Sequence, residues 1–277
     1  MRIGETMKDI AKKSNTMYLL EKYRLKASKK FGQNFLIDLN TIQKIVETTH
    51  IDQQTCVIEI GPGIGALTEQ LSYHAKKVIC FEIDTRLQDV LKESLEEFDN
   101  VEVIFQDFLT VDLKAVVDEL KKEYDKVCIV ANLPYYITTD ILEHILTSGA
   151  PLTSIHAMVQ KEVAVKLTDP SYKSPLTFMI ESLGTISLDM GVSRHVFDPA
   201  PRVDSAIISI HIEKDYHDQF MPLLKQAFTQ KRKTIYNNLK VLFLDKTKDI
   251  LKECHIDEKK RPEELTIDDY IALTKYM

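Results

Sequence analysis

Along this chain the spacing of apolar residues switches between two periods. Short apolar runs at residues 55–60, 77–82, 101–105, 126–131 and 154–160 are each followed by a stretch with apolar positions every three or four residues. The runs predict strands and the intervening stretches, at about 66–73, 86–97, 113–122, 140–146 and 161–167, predict helices. Strands this apolar and this evenly separated imply an α/β fold, a mostly parallel sheet with helices on both faces. A proline-containing loop at 169–175, a helix at 176–183 and strands at 185–192 and 205–212 follow. Between those last two strands, Phe197-Asp198-Pro199-Ala200-Pro201-Arg202-Val203 holds too many prolines for regular structure. After Lys214 only helical spacing remains. The chain therefore divides into residues 1–214 and a small all-α unit, 215–277. At the other end, residues 1–25 predict a basic helix, 26–34 a polar loop, and Asp38 the N-cap of another helix.

Composition narrows the class. With 277 residues, 44% of them hydrophobic and 28% charged, the chain resembles an ordinary globular protein large enough to bury a core. No apolar run approaches the roughly 20 residues of a membrane span, and the first residues lack the apolar stretch of a secretory signal. A cytosolic protein is expected. Cys56, Cys80 and Cys128 sit inside strand-like runs and none of the four cysteines forms a Cys-x-x-Cys pair, which points to reduced thiols and away from a metal site.

The net charge of −6 disfavours a polyanion partner until its distribution is considered. Residues 1–30 carry nine basic side chains against three acidic ones, and residues 219–240 carry five basic and no acidic ones. Two basic flanks around an acidic middle suit a nucleic acid bound between them.

Candidate chemistry concentrates at strand ends. Glu59-Ile60-Gly61-Pro62-Gly63-Ile64-Gly65 joins a strand to a helix through a glycine turn, where a ligand can approach bare backbone. Glu82 ends the next strand, 21 residues after Gly61, where a carboxylate can accept both hydroxyls of a ribose. Asp107 follows the third strand and could accept from an adenine amine while Phe108 covers the ring. A dinucleotide fits poorly, because the glycine spacing is wrong, Pro62 removes an N–H and Glu69 follows closely. A smaller, less anionic ligand such as S-adenosylmethionine fits better. Asn132-Leu133-Pro134-Tyr135 ends the fourth strand. The exocyclic amine of adenine is a weak nucleophile because its lone pair is delocalised into the ring. An Asn oxygen and a backbone carbonyl can each accept one of its N–H groups, proline fixes the backbone, and Tyr135 can stack on an extruded base. No metal is needed for this chemistry.

With these residues in view, the chain resembles the small-subunit ribosomal RNA adenine-N6,N6-dimethyltransferase family over nearly its whole length. The resemblance is carried by Lys29-Lys30-Phe31-Gly32-Gln33-Asn34-Phe35-Leu36, the glycine turn, and Asn132-Leu133-Pro134-Tyr135-Tyr136-Ile137-Thr138-Thr139. Val159-Gln160-Lys161-Glu162-Val163-Ala164, Phe197-x-Pro199-x-Pro201-x-Val203-Asp204-Ser205-Ala206 and the segment Gln230-Lys231-Arg232-Lys233-Thr234 to Leu239 complete it. It implies a Rossmann-like class I methyltransferase sheet of seven strands and S-adenosylmethionine held by Asn34, Leu36, Gly61, Glu82, Asp107 and Asn132. It also implies Phe197 beside the target base, and Lys231, Arg232 and Lys233 gripping phosphates. The expected substrate is a pair of adjacent adenines in the loop of the 3′-terminal helix of small-subunit RNA, each methylated twice by a monomeric enzyme. Two other readings use the same residues: a large-subunit adenine methyltransferase of the antibiotic-resistance branch, and an RNA-binding assembly factor without chemistry. One departure stands out. Where the family has Tyr-Gly before a Leu-Ser run, this chain has Tyr172-Lys173-Ser174-Pro175-Leu176-Thr177.

Overall fold

In the computed structural model, which describes residues 9–28 and 30–277, the alternation read from the apolar pattern becomes a layered α/β unit. Helix α1 (Lys13–Lys22) leads to a two-residue strand β1 (Phe35–Leu36) and helix α2 (Leu39–Thr49). Strand and helix then alternate through β2 (Thr55–Ile60), α3 (Ala66–His74), β3 (Lys77–Glu82), α4 (Gln88–Ser94), β4 (Val101–Phe105), α5 (Leu113–Leu120), β5 (Lys126–Asn132), α6 (Thr138–Thr147) and β6 (Ser154–Gln160). Two helices, α7 (Lys161–Thr168) and α8 (Pro175–Leu183), precede β7 (Gly184–Val192), β8 (Phe197–Asp198) and β9 (Ser205–Ile212). The chain finishes in α9 (Phe220–Ala227), α10 (Ile235–Phe243), α11 (Thr247–Glu253) and α12 (Ile267–Thr274).

The main sheet has seven strands in the order β4-β3-β2-β5-β6-β9-β7. The first five run parallel, and β9 is antiparallel to both β6 and β7. All six residues of β2 are buried, as expected for a strand covered on both faces. Cys56, Ile58 and Ile60 face the core under α5 and α6, whereas Val57 faces the core under α2, α3 and α4. Among the described residues no helix is long and apolar enough to cross a membrane.

Several expectations are corrected by local chemistry. The basic N-terminal helix is shorter than residues 1–25: α1 ends before Arg24, whose φ of +51° stops it, and residues 1–8 and Lys29 lie outside the described residues. The helix expected at 86–97 splits into a 3₁₀ turn (Thr85–Leu87) and α4, because Asp84 caps the turn by accepting the Arg86 N–H. The proline-rich segment opens with two residues of regular structure after all. Phe197 and Asp198 pair antiparallel with Leu36 and Phe35, the residue before a proline being biased toward extended backbone. At the departure from the family pattern, the Ser174 hydroxyl caps α8 by accepting the Thr177 N–H, and Pro175 occupies the first turn.

The helices after β9 keep no separate core. Their buried residues, from Phe220 to Leu273, belong to the same cluster as Ile58 and Ile129 of the sheet. Helix α8 makes the junction: Phe178 is fully buried and stacks edge-on against Tyr270, ring centroids 4.8 Å apart. Truncating that ring opens a cavity in the shared core. Phe178→Ala should therefore cost about 3–5 kcal/mol, in one cooperative transition followed in urea by both circular dichroism and tyrosine fluorescence. A separate earlier transition of the C-terminal helices would show that the cores are independent.

Candidate active site

The helix after β2 packs on one face of the sheet and the helix after β5 on the other. Helices that diverge in this way leave the carboxyl ends of the two neighbouring strands uncovered, and a crevice opens there. It is a cleft of about 1060 Å³, its mouth included. Its walls are the glycine turn, the ends of β3 and β5, the loop after β4, and a strap formed by residues 31–36.

The turn is shaped by hydrogen bonds and by a missing side chain. Gly61 donates to the Phe81 carbonyl at 2.9 Å, and Gly65 closes the turn on the Pro62 carbonyl at 3.0 Å. Gly61 has φ +69°, and a Cβ built on it would meet nothing within 4 Å, so bare backbone faces open space. Across from it the Glu82 carboxylate accepts the N–H of Gly63 (3.3 Å) and of Asp84 (2.8 Å). Glu82 is only 4% exposed, and burial pushes its carboxyl up to about 7 against the pull of these donors. Glu59, at the base of the turn, is likewise pushed up to about 7 by complete burial. Asp107 accepts the Leu109 N–H at 3.0 Å, capping a short 3₁₀ turn, and lines the same cleft beside Phe108.

The other end of the cleft is the turn after β5. Leu133 N donates to the Met158 carbonyl at 3.1 Å, which extends the pairing of β5 with β6 by one residue. The Pro134 carbonyl accepts from Ile137 N (3.2 Å) and the Thr138 hydroxyl (2.9 Å), fixing the start of α6. Tyr135 is half-buried and shares a short hydrogen bond with the Ser205 hydroxyl at the start of β9. Asn132 lines the cleft half-buried, at the last position of β5.

Asn34, Leu36, Gly61, Glu82, Asp107, Asn132, Leu133, Pro134 and Tyr135 thus all border one space. Phe197 does not: it is 3% exposed, paired with Leu36 in the small ribbon and buried in the core beneath α2. Lys231, Arg232 and Lys233 are exposed on the turn before α10 and form no part of the cleft. Gln33 and Tyr136, to which the sequence assigns no role, also line it. Both lie inside motifs already quoted, but nothing in a linear motif says which neighbours a side chain meets. Among the described residues no group of three His, Cys, Asp or Glu could hold a metal ion. Chemically, one end of the cleft presents a carboxylate and bare backbone suited to a nucleoside, and the other an amide and a phenol suited to a flat, amine-bearing ring.

Comparison with known proteins gives the chain's relatives. The family model described as ribosomal RNA adenine dimethylase matches residues 24–277. The chain is 42% identical over 282 residues to ribosomal RNA small subunit methyltransferase A of Staphylococcus carnosus, covering 96% of this chain and 95% of that one. It is 43% identical over 283 residues to the protein of the same name from Bacillus licheniformis, covering 96% and 97%. Among solved structures it is similar to a dimethyladenosine transferase from Plasmodium falciparum, with TM-score 0.71, 26% identity, and coverage of 86% of this chain and 95% of that one. It is also similar to the 23S rRNA methyltransferase ErmE, with TM-score 0.63, 28% identity, and coverage of 88% and 99%.

The raised carboxyl of Glu82 makes a signed prediction. Its folded value lies above the ordinary 4.5, so the stability of the protonated form is fully present below pH 4.5 and is lost as pH rises to about 7. Between pH 5 and pH 8 the wild type should lose roughly 1–3 kcal/mol relative to Glu82→Gln, measured by urea unfolding at each pH. A difference between the two proteins that does not change with pH would contradict the burial argument.

Proposed function

The chain belongs to the ribosomal RNA adenine dimethylase family, and on that premise we propose that one cleft holds both S-adenosylmethionine and the adenine that is methylated. The protein is a small-subunit ribosomal RNA adenine dimethyltransferase. The observation that carries the reading of the cleft is that Glu82 and the Asn132–Tyr135 turn border one space, at the ends of strands flanking the glycine turn.

The walls fit an adenosyl group. The open front of Gly61 lets a ligand lie against the backbone, where a side chain would intrude. Glu82, ionised, accepts the ribose hydroxyls. Asp107 accepts from the adenine of the cofactor while Phe108 closes against its ring, and Asn34 and Leu36 cover it from the strap. S-adenosylmethionine, when bound, supplies an electrophilic methyl group on a sulfonium.

At the other end the chain's own residues prepare the nucleophile. Since the Pro134 carbonyl is already taken by Ile137 and Thr138, the backbone acceptor at this turn is the Leu133 carbonyl. The Asn132 oxygen and that carbonyl receive the two N–H groups of the adenine amine, which turns its lone pair toward the methyl. Tyr135, steadied by Ser205, stacks on the base. Fixing both partners in line supplies up to roughly 7–11 kcal/mol of the barrier.

The substrate reading extends to two adjacent adenines in the loop of the 3′-terminal helix, each carrying two methyl groups at the end, in a cytosolic and monomeric enzyme. The exposed Lys231, Arg232 and Lys233, on the all-helical segment 215–277, grip RNA phosphates away from the chemistry. Buried Phe197 reaches a base only if the β1–β8 ribbon opens, so Tyr135 is the aromatic partner assigned here.

Methyl transfer from labelled S-adenosylmethionine to purified small and large subunits from cells lacking the enzyme tests this reading. Label should enter the small subunit alone; label in the large subunit would favour the antibiotic-resistance branch, and label in neither an assembly factor. Asn132→Ala should lower transfer by roughly 10²–10³-fold, the usual cost of one oriented group at a reacting centre, while RNA affinity stays near wild type. Unchanged turnover would remove the role of the amide. Reversing the charges of Lys231, Arg232 and Lys233 should weaken RNA binding and flatten its dependence on salt by up to about 0.7–0.9 in log–log slope per lost phosphate contact. An unchanged slope would place the RNA grip elsewhere.

A further inference from the structure

The strap that roofs the cleft is held at its far end by the β1–β8 pairing and at its near end by one side chain. Phe31 N and Gln33 N both donate to the Ser28 carbonyl at 3.2 Å, and Asn34 Nδ2 donates to the Gly32 carbonyl at 3.0 Å. Gln33 uses both halves of its amide. Its Oε1 accepts the Ser28 N–H at 2.8 Å, closing the strap on itself, and its Nε2 donates to Asp84 Oδ2 at 2.9 Å. Only an amide of this length offers an acceptor to the loop and a donor to a carboxylate at once.

Asp84 is a firm anchor. It is 2% exposed and is held by Arg86, whose Nε donates to Oδ1 at 2.8 Å and whose Nη2 donates to Oδ2 at 2.6 Å. The same Arg86 contacts keep the Asp84 carboxyl below its ordinary range, so it remains an acceptor. Its backbone N–H is one of the two that orient Glu82. The opposite margin of the strap rests on the base end of the cleft: at Gly32, φ +59°, a Cβ would stand 3.0 Å from Tyr136 Cδ1. One short loop therefore touches Glu82's support on one side and the Asn132–Tyr136 turn on the other.

We propose that Gln33 is a positioning residue of this site: by holding the strap to Asp84, it sets Asn34 over the cofactor and couples the cofactor end of the cleft to the base end. The inference rests on reading the cleft as a site for S-adenosylmethionine and adenine. The hydrogen bond ends on a charged, buried acceptor, so its loss is felt at the roughly 10- to 100-fold level. Because the strap covers the cofactor and leaves the reacting atoms in place, the loss falls on cofactor binding and much less on the chemical step.

Calorimetric titration of the full chain with S-adenosylhomocysteine, paired with methyl-transfer kinetics on small subunits, tests it. Gln33→Leu should weaken S-adenosylhomocysteine roughly 10- to 100-fold and raise KM for S-adenosylmethionine by a similar factor, with kcat at saturation within about threefold of wild type and only a modest fall in Tm. Asp84→Ala, which also removes the cap of the 3₁₀ turn and the Arg86 contacts, should produce a loss at least as large, and the double variant should be no worse than Asp84→Ala alone, as expected when the Gln33 contact is already gone. Wild-type affinity in Gln33→Leu, or losses that multiply in the double variant, would overturn the proposal. A wild-type chain that fails to bind S-adenosylhomocysteine would overturn the reading of the cleft and this inference with it.

Discussion

The whole site follows from the chain leaving β2 and β5 on opposite faces of the sheet. Neighbouring parallel strands whose helices diverge leave their carboxyl ends uncovered, and backbone there can meet a ligand. β2 runs into the glycine turn and α3 on one side; β5 runs into Leu133, Pro134 and α6 on the other. Everything else around the cleft closes that gap. The end of β3 brings Glu82, the loop after β4 brings Asp107, and residues 31–36 cross above. The antiparallel pair β7 and β9 lies at the far edge, yet it supports the site through Ser205, which holds the Tyr135 hydroxyl.

Charge is divided between the cleft and the surface. Inside, Glu59 and Glu82 are buried deeply enough to titrate near 7, and among the described residues no lysine or arginine is paired with either. Such a pocket favours a ligand that is neutral or positively charged and presents hydrogen-bond donors, a description that fits an adenosyl sulfonium and disfavours a pyrophosphate. The exposed basic cluster Lys231, Arg232 and Lys233 lies outside this pocket. The net charge of −6 and an RNA substrate are therefore compatible, since the buried acidic groups and the exposed basic side chains occupy different places.

What the sequence discloses depends on the range of the interaction concerned. Strands β2, β3, β4, β6 and β9 begin and end where the apolar runs do, because both faces of the sheet are buried and each run carries its own signal. Helix ends are less legible, being set by single contacts such as the left-handed Arg24 and the Asp84 cap. The β1–β8 ribbon joins Phe35 and Leu36 to Phe197 and Asp198, far apart in the chain and too short to have a period. The same limit governs the site. Glu82 and Asn132 end their strands and Gly61 and Asp107 lie just beyond theirs, so all four border the crevice by topology. Phe197 belongs to a motif too, but the ribbon turns it into the core, and Gln33 owes its place to Asp84, 51 residues away.

A crystal structure of the protein with S-adenosylhomocysteine and an adenine-containing RNA hairpin tests the central claim most directly. The account predicts the cofactor ribose on Glu82 and the target amine within hydrogen-bond distance of Asn132 Oδ1 and the Leu133 carbonyl. It also predicts that amine nitrogen within roughly 3–3.5 Å of the point that the transferring methyl carbon would occupy on the cofactor sulfur. A cofactor lying away from Glu82, or an adenine bound anywhere except against the Asn132–Tyr135 turn, would contradict it.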